Sequence, residues 1–271
     1  MKSTAYSAVT IINAMANGKG GAVAIDLEVS ADVDIVGKGL SGEIVIRGEK
    51  YKDFSLIKEI KGLIEERFDI DFGMDLKIES EIPVGKGLKS SSAVSNVVTK
   101  ATVKALDIEM NDLDIIKVGI EASKRAGVTL TGALDDAYAS YFGGICLTDN
   151  IENEVLKKDD IERYKVVILI PEKTVLTSSL NDRNFKIIKP HMDVIFNSAL
   201  NGSWMEACFL NGLVYSSFFG YDTKVMTKAL GLSETVGLSG KGPALYSLTE
   251  NPNEVKDRWE TYGEVLEVHT R

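Results

Sequence analysis

The pattern of apolar and polar residues divides the chain into short strands and amphipathic helices. Residues 76–82 set Leu76, Ile78 and Ile82 against charged neighbours, a period of two that predicts a half-buried strand. In residues 90–106 the apolar positions recur instead at the spacing of one helical face. The same patterns predict strands over residues 3–12, 22–29, 31–36, 43–47, 166–170 and 265–269, and a strand, glycine loop and second strand over residues 237–248. They predict further helices over residues 54–68, 111–124, 135–142, 191–200, 204–218 and 254–262.

A polar run from Asp149 to Arg163 separates two groups of these elements. Strands and helices are mixed on both sides of the run without a strict alternation, which is typical of an α+β architecture. At 271 residues the chain is long enough for two small domains. We therefore expect two lobes, formed by residues 1–155 and by residues 156–271.

Composition and charge narrow the classes of function. Hydrophobic residues make up 44% of the chain and charged residues 26%, as in ordinary soluble globular proteins. The formal net charge of -9 argues against nucleic acid or an anionic membrane as a partner. Cys146 and Cys208 lie far apart in apolar surroundings, which is typical of reduced thiols. No window approaches the roughly 20 apolar residues of a membrane span, and no secretory signal is recognisable, so we expect a cytoplasmic protein.

Residues 83–93, Pro-Val-Gly-Lys-Gly-Leu-Lys-Ser-Ser-Ser-Ala, connect a predicted strand to a predicted helix. Gly85 and Gly87 allow the backbone to turn tightly and to approach a ligand closely. The serines that follow supply hydroxyl groups and main-chain N–H groups at the positive end of the helix dipole. The stretch therefore predicts an anion-binding site. The alternative is an ordinary strand–turn–helix with a serine cap.

Three weaker features also suggest chemistry. Residues 238–244, Leu-Ser-Gly-Lys-Gly-Pro-Ala, form a second glycine loop whose alternative interpretation is a hairpin turn. Asp135 and Asp136 stand on the first turn of a helix, where they either offset the helix dipole or accept a proton from a substrate hydroxyl. Glu121 is a candidate Mg²⁺ ligand, with a solvated surface charge as the alternative. Each Gly-Lys pair is followed by Gly rather than Ser or Thr, so a Walker A loop is excluded.

These blocks resemble, in order and spacing, the motifs of the GHMP kinases, a family that includes galactokinase, homoserine kinase and mevalonate kinase. Residues 83–93 match every fixed position of the family signature Pro-x-x-x-Gly-Leu-x-Ser-Ser-x-Ala, with Lys89 in place of a common Gly. Residues 239–243 resemble the C-terminal glycine motif of the family, with Lys241 where Ala is common. Residues 17–20 match the first family motif loosely.

Within the family, residues 85–93 and 131–144 resemble the archaeal-type shikimate kinases most closely. The resemblance implies an N-terminal lobe like domain 2 of ribosomal protein S5, which binds ATP, and a ferredoxin-like C-terminal lobe. It implies ATP-dependent phosphorylation of the 3-hydroxyl of shikimate, with Mg²⁺ as the metal. The residues it implies for ATP binding are Pro83, Val84, Gly85, Lys86, Gly87, Leu88, Lys89, Ser90, Ser91, Ser92, Ala93, Gly240 and Gly242.

The resemblance also implies the remaining roles at the site. Ser90 and Ser91 would meet phosphate oxygens and Mg²⁺, and Glu121 would be the second metal ligand. The base would be Asp136 by its distance from Gly143, or Asp135 by the spacing of homoserine kinases; the motifs do not separate the two. Shikimate carries a carboxylate, so we expect a cation to face it. The candidates for binding the acceptor are Asn17, Lys19, Arg125 and Arg183.

Other functions stay open on the sequence alone. The first alternative is another small-molecule kinase of the family, such as homoserine kinase. The second is a nucleotide-binding protein without catalytic activity on the same fold, because a fold does not determine a function. An RNA-binding S5-like module is disfavoured by the acidic charge. We expect a monomer or a homodimer.

Overall fold

The strands and helices form two layered units in the computed structural model, which describes residues 1–129, 132–172 and 184–271. Thr131 and Arg183 lie outside the described residues. The strands are β1 (Lys2–Ile12), β2 (Lys19–Val36), β3 (Leu40–Ile46), β4 (Glu49–Tyr51), β5 (Gly73–Ser80), β6 (Ile145–Asp149), β7 (Glu154–Asp159), β8 (Lys165–Ile170), β9 (Thr235–Leu238), β10 (Leu245–Leu248) and β11 (Glu264–His269). The helices are α1 (Ser55–Phe68), α2 (Ser90–Ala105), α3 (Asp112–Arg125), α4 (Leu134–Phe142), α5 (Lys189–Leu200), α6 (Trp204–Phe219), α7 (Lys224–Leu230) and α8 (Pro252–Trp259).

The first sheet is built around the long strand β2. The strands follow the order β4-β3-β5-β2-β6-β7, and β1 pairs with β2 outside that path. The prediction of two separate strands over residues 22–29 and 31–36 is wrong. Ser30 between them pairs with Thr4 of β1 and Glu79 of β5, so its backbone is held on both edges and the strand continues.

Helices α2 and α4 pack on this sheet, with α1 and α3 packed against the helices, and α2 places the phosphate loop, residues 83–93. The apolar face of α2 carries Val97, Val98 and Ala101, which are fully buried, and α2 packs on β1 and β2. The helix predicted over residues 111–124 is confirmed, and the Asn111 side chain accepts from the main-chain N–H of Asp114 as its cap. Burial of the α2 face holds the N-terminus of the helix beside the end of β1.

The second sheet has the strand order β11-β8-β10-β9, and every neighbouring pair is antiparallel. Numbered within this lobe the order is 4-1-3-2, and helices connect the first strand to the second and the third to the fourth. This is the ferredoxin-like topology that the resemblance implied. Trp259 of α8 and Tyr246 of β10 are among the largest side chains buried in its core.

Several short elements were not predicted because they bury little apolar surface. All three residues of β4 are exposed, and β7 lies within the polar run at the edge of the first sheet. Helix α7 buries only Met226 and Ala229. The division at residues 155 and 156 stays a prediction. β7 crosses that position and pairs with β6, so it belongs to the first sheet.

The C-terminus joins the two lobes through main-chain hydrogen bonds. The N–H of Arg271 donates to the carbonyl of Ala24 at 3.1 Å, and its carbonyl accepts from the N–H of Gly144 at 2.7 Å. The chain therefore returns to the first sheet beside the end of α4. This helix carries Asp135 and Asp136, the acidic pair, in its first turn. None of the helices in the described part of the chain combines the length and the apolar character needed to cross a bilayer.

Candidate active site

The loop before α2 turns the carbonyl groups of Gly87 and Leu88 away from the helix that follows. Gly87 has a φ of +84°, and Lys89 at the N-cap has a φ of +61°. The carbonyl of Lys89 accepts from the N–H of Ala93 at 3.1 Å and begins the helix, whereas the two carbonyls before it bond to other parts of the molecule. The carbonyl of Gly87 accepts from the Ser239 hydroxyl at 2.8 Å, and that of Leu88 accepts from the Ser7 hydroxyl at 2.7 Å.

The first turn of α2 presents main-chain N–H groups to the space in front of this loop. Ser90, Ser91 and Ser92 form that turn, and the side chain of Lys89 at the N-cap makes no capping hydrogen bond. The first N–H groups of a helix have no partners within the helix and lie at the positive end of its dipole. This helix end is therefore suited to bind an anion such as phosphate.

The second glycine loop, between β9 and β10, packs directly on the first. A Cβ atom at Gly87 would lie 2.1 Å from the carbonyl oxygen of Ser239, so only glycine allows the two backbones to come this close. The N–H of Gly240 donates to the Thr10 hydroxyl at 2.8 Å, and its carbonyl accepts from the Asn13 side chain at 2.9 Å. The end of β1 thus holds the second loop against the first.

A cavity of about 410 Å³ lies in front of the two loops, a volume suited to a small ligand. The predicted residues that line it are Val84, Gly85, Gly87, Leu88, Lys89, Ser90, Ser91, Ser92, Asp135, Asp136 and Gly240. The residues in the lining that the sequence analysis did not select are Thr10, Asn13, Ala14, Met15, Tyr51, Asp53, Gly127, Val128, Thr129, Ala133 and Lys241. The structure thus brings the phosphate loop, the second glycine loop and the acidic pair to one cavity.

The carboxyl group of Asp135 is held from two sides. It accepts from the Asn150 amide at 2.9 Å, and a Cβ atom at Gly20 would lie 2.5 Å from it. Burial, and then the negative charge of Asp136, raise the pKa of Asp135 to about 7, against the opposing effects of Lys89 and Asn150. A carboxyl group with this pKa exchanges a proton readily near neutral pH.

Asp136 forms an ion pair with Lys89. The Lys89 Nζ lies 2.8 Å from Asp136 Oδ1, and the two side chains are 9% and 13% exposed. The pair joins the N-cap of α2 to the first turn of α4. It therefore ties the phosphate loop to the acidic pair inside the cavity.

Lys241 places a second ammonium group at the cavity. Burial, and then the positive charge of Lys89, lower the pKa of Lys241 to about 8. The hydroxyl of Tyr221 donates to its main-chain carbonyl at 2.8 Å, which holds the second loop in place. Although the whole chain is acidic, Lys89 and Lys241 both bring ammonium groups to this cavity.

Four of the residues predicted to bind nucleotide do not line the cavity. Pro83 and Ala93 are buried, and Gly242 packs against side chains of its own lobe. The Lys86 ammonium donates to the carbonyls of Pro171 and Glu172, both at 2.7 Å, and so contacts the end of β8 in the second lobe. Their contribution to nucleotide binding stays a prediction.

The described residues predicted to bind the acceptor, and the predicted second metal ligand, also lie outside the lining of the cavity. The Asn17 amide donates to Asp193 at 2.9 Å, and the Lys19 ammonium lies 5.5 Å from the centre of the Phe196 ring. Arg125 pairs at the surface with Glu66 and with Glu121, whose side chain is 49% exposed. These roles also stay predictions, and Arg183 lies outside the described residues.

Sequence reasoning selected Lys89 only as a member of the ATP-binding loop and missed Lys241, although a signal for both lysines was present. Lys89 and Lys241 are the positions at which the two glycine loops depart from the family motifs. Each departure looked like a tolerated substitution when its motif was considered alone. The structure shows that both face one cavity.

Known proteins are similar to this chain in sequence. The family described as GHMP kinases N terminal domain matches residues 55–144, from the start of α1 to just after α4. A protein named shikimate kinase from Thermococcus kodakarensis is 46% identical over 271 residues, covering all of both chains. Its namesake from Pyrococcus abyssi is 48% identical over 268 residues and 98% of both chains. This chain belongs to the GHMP kinases, in the group of the archaeal shikimate kinases.

Solved structures of GHMP kinases share the fold. The mevalonate kinase of Methanococcus jannaschii superposes with a TM-score of 0.79 at 16% identity, covering 100% of this chain and 98% of that one. The homoserine kinase of Cytophaga hutchinsonii gives a TM-score of 0.75 at 18% identity, covering 100% and 94%. The prediction of a two-lobed GHMP kinase fold is thereby confirmed.

Proposed function

We propose that this GHMP kinase is a shikimate kinase, which transfers the γ-phosphoryl group of ATP to the 3-hydroxyl of shikimate and releases ADP. One observation carries the proposal: the anion-binding end of α2 and the acidic pair of α4 face the same cavity. The full-length relatives named shikimate kinase support the choice of acceptor. The buried free thiols of Cys146 and Cys208 support a cytoplasmic location.

Phosphoryl transfer requires the protein mainly to align two substrates and to neutralise charge. In this proposal the main-chain N–H groups of Ser90, Ser91 and Ser92 bind the phosphate oxygens. Lys241 adds a positive charge from the second loop. These groups are fixed before the substrate arrives, so they need no reorganisation during the reaction.

Asp136 is the proposed base. Its carboxylate orients the acceptor hydroxyl, whose oxygen forms a bond to the γ-phosphorus as the bond from that phosphorus to ADP breaks. The hydroxyl proton passes to the carboxylate as the new bond forms. We prefer Asp136 to Asp135 because its carboxylate lies against the Lys89 ammonium at the cavity, whereas the carboxyl group of Asp135 is held by Asn150.

The donor groups at the cavity fit Mg²⁺. Magnesium takes oxygen ligands, keeps several waters and binds substrate phosphates with few protein oxygens. The hydroxyl of Ser90 would hold it at the cavity, and Glu121 stays the predicted second ligand, although its carboxylate pairs with Arg125 at the surface. When bound, the ion supplies positive charge to the phosphate oxygens.

The proposed function is tested by measuring ADP release with shikimate, homoserine and mevalonate as separate acceptors. We expect turnover with shikimate and none above background with the other two. Activity confined to homoserine or mevalonate would reject the acceptor. Stabilisation by ATP without turnover of any acceptor would favour the nucleotide-binding protein without catalytic activity.

Lys241 predicts a pH dependence of ATP binding. Its ammonium is charged below its pKa of about 8 and loses the charge as the pH rises through that value. We expect ATP binding to weaken about ten-fold between pH 7 and pH 9.5, because the neutral amine no longer makes a charge-assisted hydrogen bond to phosphate. Lys241→Arg should remove this weakening, because a guanidinium stays charged throughout.

Calorimetric titration of ATP across this pH range measures the effect. Lys241→Met is the matched control and should bind weakly at every pH. Equal pH dependence in the wild type and in Lys241→Met would remove Lys241 from the phosphate site.

A further inference from the structure

We propose that Lys89 is a positioning residue for the reaction: its ammonium, carried by the phosphate loop, orients the Asp136 carboxylate towards the acceptor and balances the charge of the acidic pair. The inference rests on the proposed function. It gives a role to the residue at which the loop departs most clearly from the GHMP kinase signature.

The environment of the ion pair is the first argument. Most ion pairs among the described residues join exposed side chains, whereas the side chains of Lys89 and Asp136 are 9% and 13% exposed, 2.8 Å apart. Exposed pairs contribute little because water screens them. A buried pair interacts strongly and is costly to break, so the ammonium holds the carboxylate of its partner in place.

The backbone at Lys89 is the second argument. Its φ of +61° lies in the left-handed region, where a side chain is unfavourable and glycine is not. Glycine, which is common at this position of the family signature, would relieve the strain. A strained residue at a site is a reason to look for a function of its side chain. Here the side chain reaches Asp136.

The third argument is that the second glycine loop provides room for the Lys89 ammonium. A Cβ atom at Gly240 would lie 3.3 Å from the Lys89 Nζ. The charged and titratable groups that act on Lys89 are Asp135 and Asp136 from α4 and Lys241 from the second loop. The ammonium therefore lies where the phosphate loop, the second loop and the acidic pair meet.

Removing this charge changes the titration of the acidic pair. Two neighbouring buried carboxylates resist being ionised together, and a cation beside them opposes that resistance. Because the groups are coupled, the pair titrates as a unit with apparent pKa values. Without Lys89 these values rise, and a higher pH is needed to ionise the base.

The test compares wild type and Lys89→Met with saturating ATP and shikimate from pH 5 to pH 10. At pH 7 we expect kcat to fall about 100-fold, the size of a general-base contribution. The acidic limb of the kcat profile should move up by about one to three pH units, the effect of an adjacent opposite charge. Raising the pH should therefore restore part of the lost activity, which damage to the structure alone would not allow.

Three variants sharpen the result. Lys89→Arg should keep the wild-type acidic limb, because its charge remains. Lys89→Gly fits the backbone better and should show the same shifted limb as Lys89→Met, so it serves if the methionine variant does not fold. Lys100→Met is the matched control on α2: this half-buried lysine lies over the ring of Tyr141, away from the cavity, and its loss should leave the profile unchanged.

The outcomes separate this inference from the proposed function. A wild-type protein that does not phosphorylate shikimate rejects the function. A wild-type protein that does, together with an unshifted limb in Lys89→Met and Lys89→Gly, rejects the positioning role alone. A higher KM for ATP with unchanged kcat also rejects it, because Lys89 would then be a phosphate ligand. Carbon-13 titration of the aspartate carboxyls in the free protein checks the shift independently of turnover.

Discussion

Asp136→Asn is expected to lower kcat about 10²- to 10⁴-fold while ATP affinity changes little. The amide keeps the shape of the side chain, and its oxygen can lie against the Lys89 ammonium as the carboxylate oxygen does, so the loop and α4 stay connected. It cannot take the proton of the acceptor hydroxyl. Steady-state turnover with shikimate and calorimetric titration of ATP measure the two effects separately.

Asp135→Asn is the matched control for this experiment. Its side chain is buried and accepts a hydrogen bond from Asn150, and the amide has the same size. We expect a loss in kcat well below that of Asp136→Asn, because Asp136 and its partner Lys89 remain. A larger loss in Asp135→Asn would make Asp135 the base, and near-normal turnover in both variants would exclude a base at either position.

Gly87→Ala is expected to lower both the stability of the protein and its use of ATP. The added Cβ atom would meet the carbonyl oxygen of Ser239 at 2.1 Å, and because that oxygen is part of the backbone, one of the two loops must move. Left-handed strain costs about 1–2 kcal/mol and overpacking about 1–3 kcal/mol, so the free energy of unfolding should fall by about 2–5 kcal/mol. A displaced phosphate loop should lower kcat/KM for ATP about 100-fold.

Gly48→Ala isolates the contact from the strain. Gly48 has a φ of +83°, nearly that of Gly87, but nothing lies within 4 Å of the added Cβ atom. Urea unfolding and ATP kinetics should show only the loss of about 1–2 kcal/mol from backbone strain, with kcat/KM unchanged. Equal effects of the two substitutions would mean that contact between the glycine loops does not shape the nucleotide site.

Much of the fold follows from short-range patterns. The strand over residues 76–82 and the helix over residues 90–106 are present within a few residues of their predicted ends, because burial of one face imposes the period of each element. Asn111 begins α3 as predicted, since its cap depends only on residues nearby in the chain. The strand β7 was not predicted because its exposed, charged residues are held by pairing with β6 rather than by burial.

The family could also be predicted, because its motifs consist of residues adjacent in the chain. The glycines and serines of residues 83–93 act through local backbone geometry, so their order in the sequence carries the information. The comparisons with known proteins confirm the GHMP kinase family and the group of archaeal shikimate kinases.

The sequence by itself determined the elements, the fold family and the loop that is suited to phosphate. Only the tertiary structure decided what lies opposite that loop. Lys89 and Asp136 are 47 positions apart, and Lys241 comes from the other lobe, yet all three line one cavity. The interaction energy of two charges depends on their distance in space and on their burial, and neither can be predicted from their separation along the chain. The pairing of Lys89 with Asp136 is therefore a property of the folded protein.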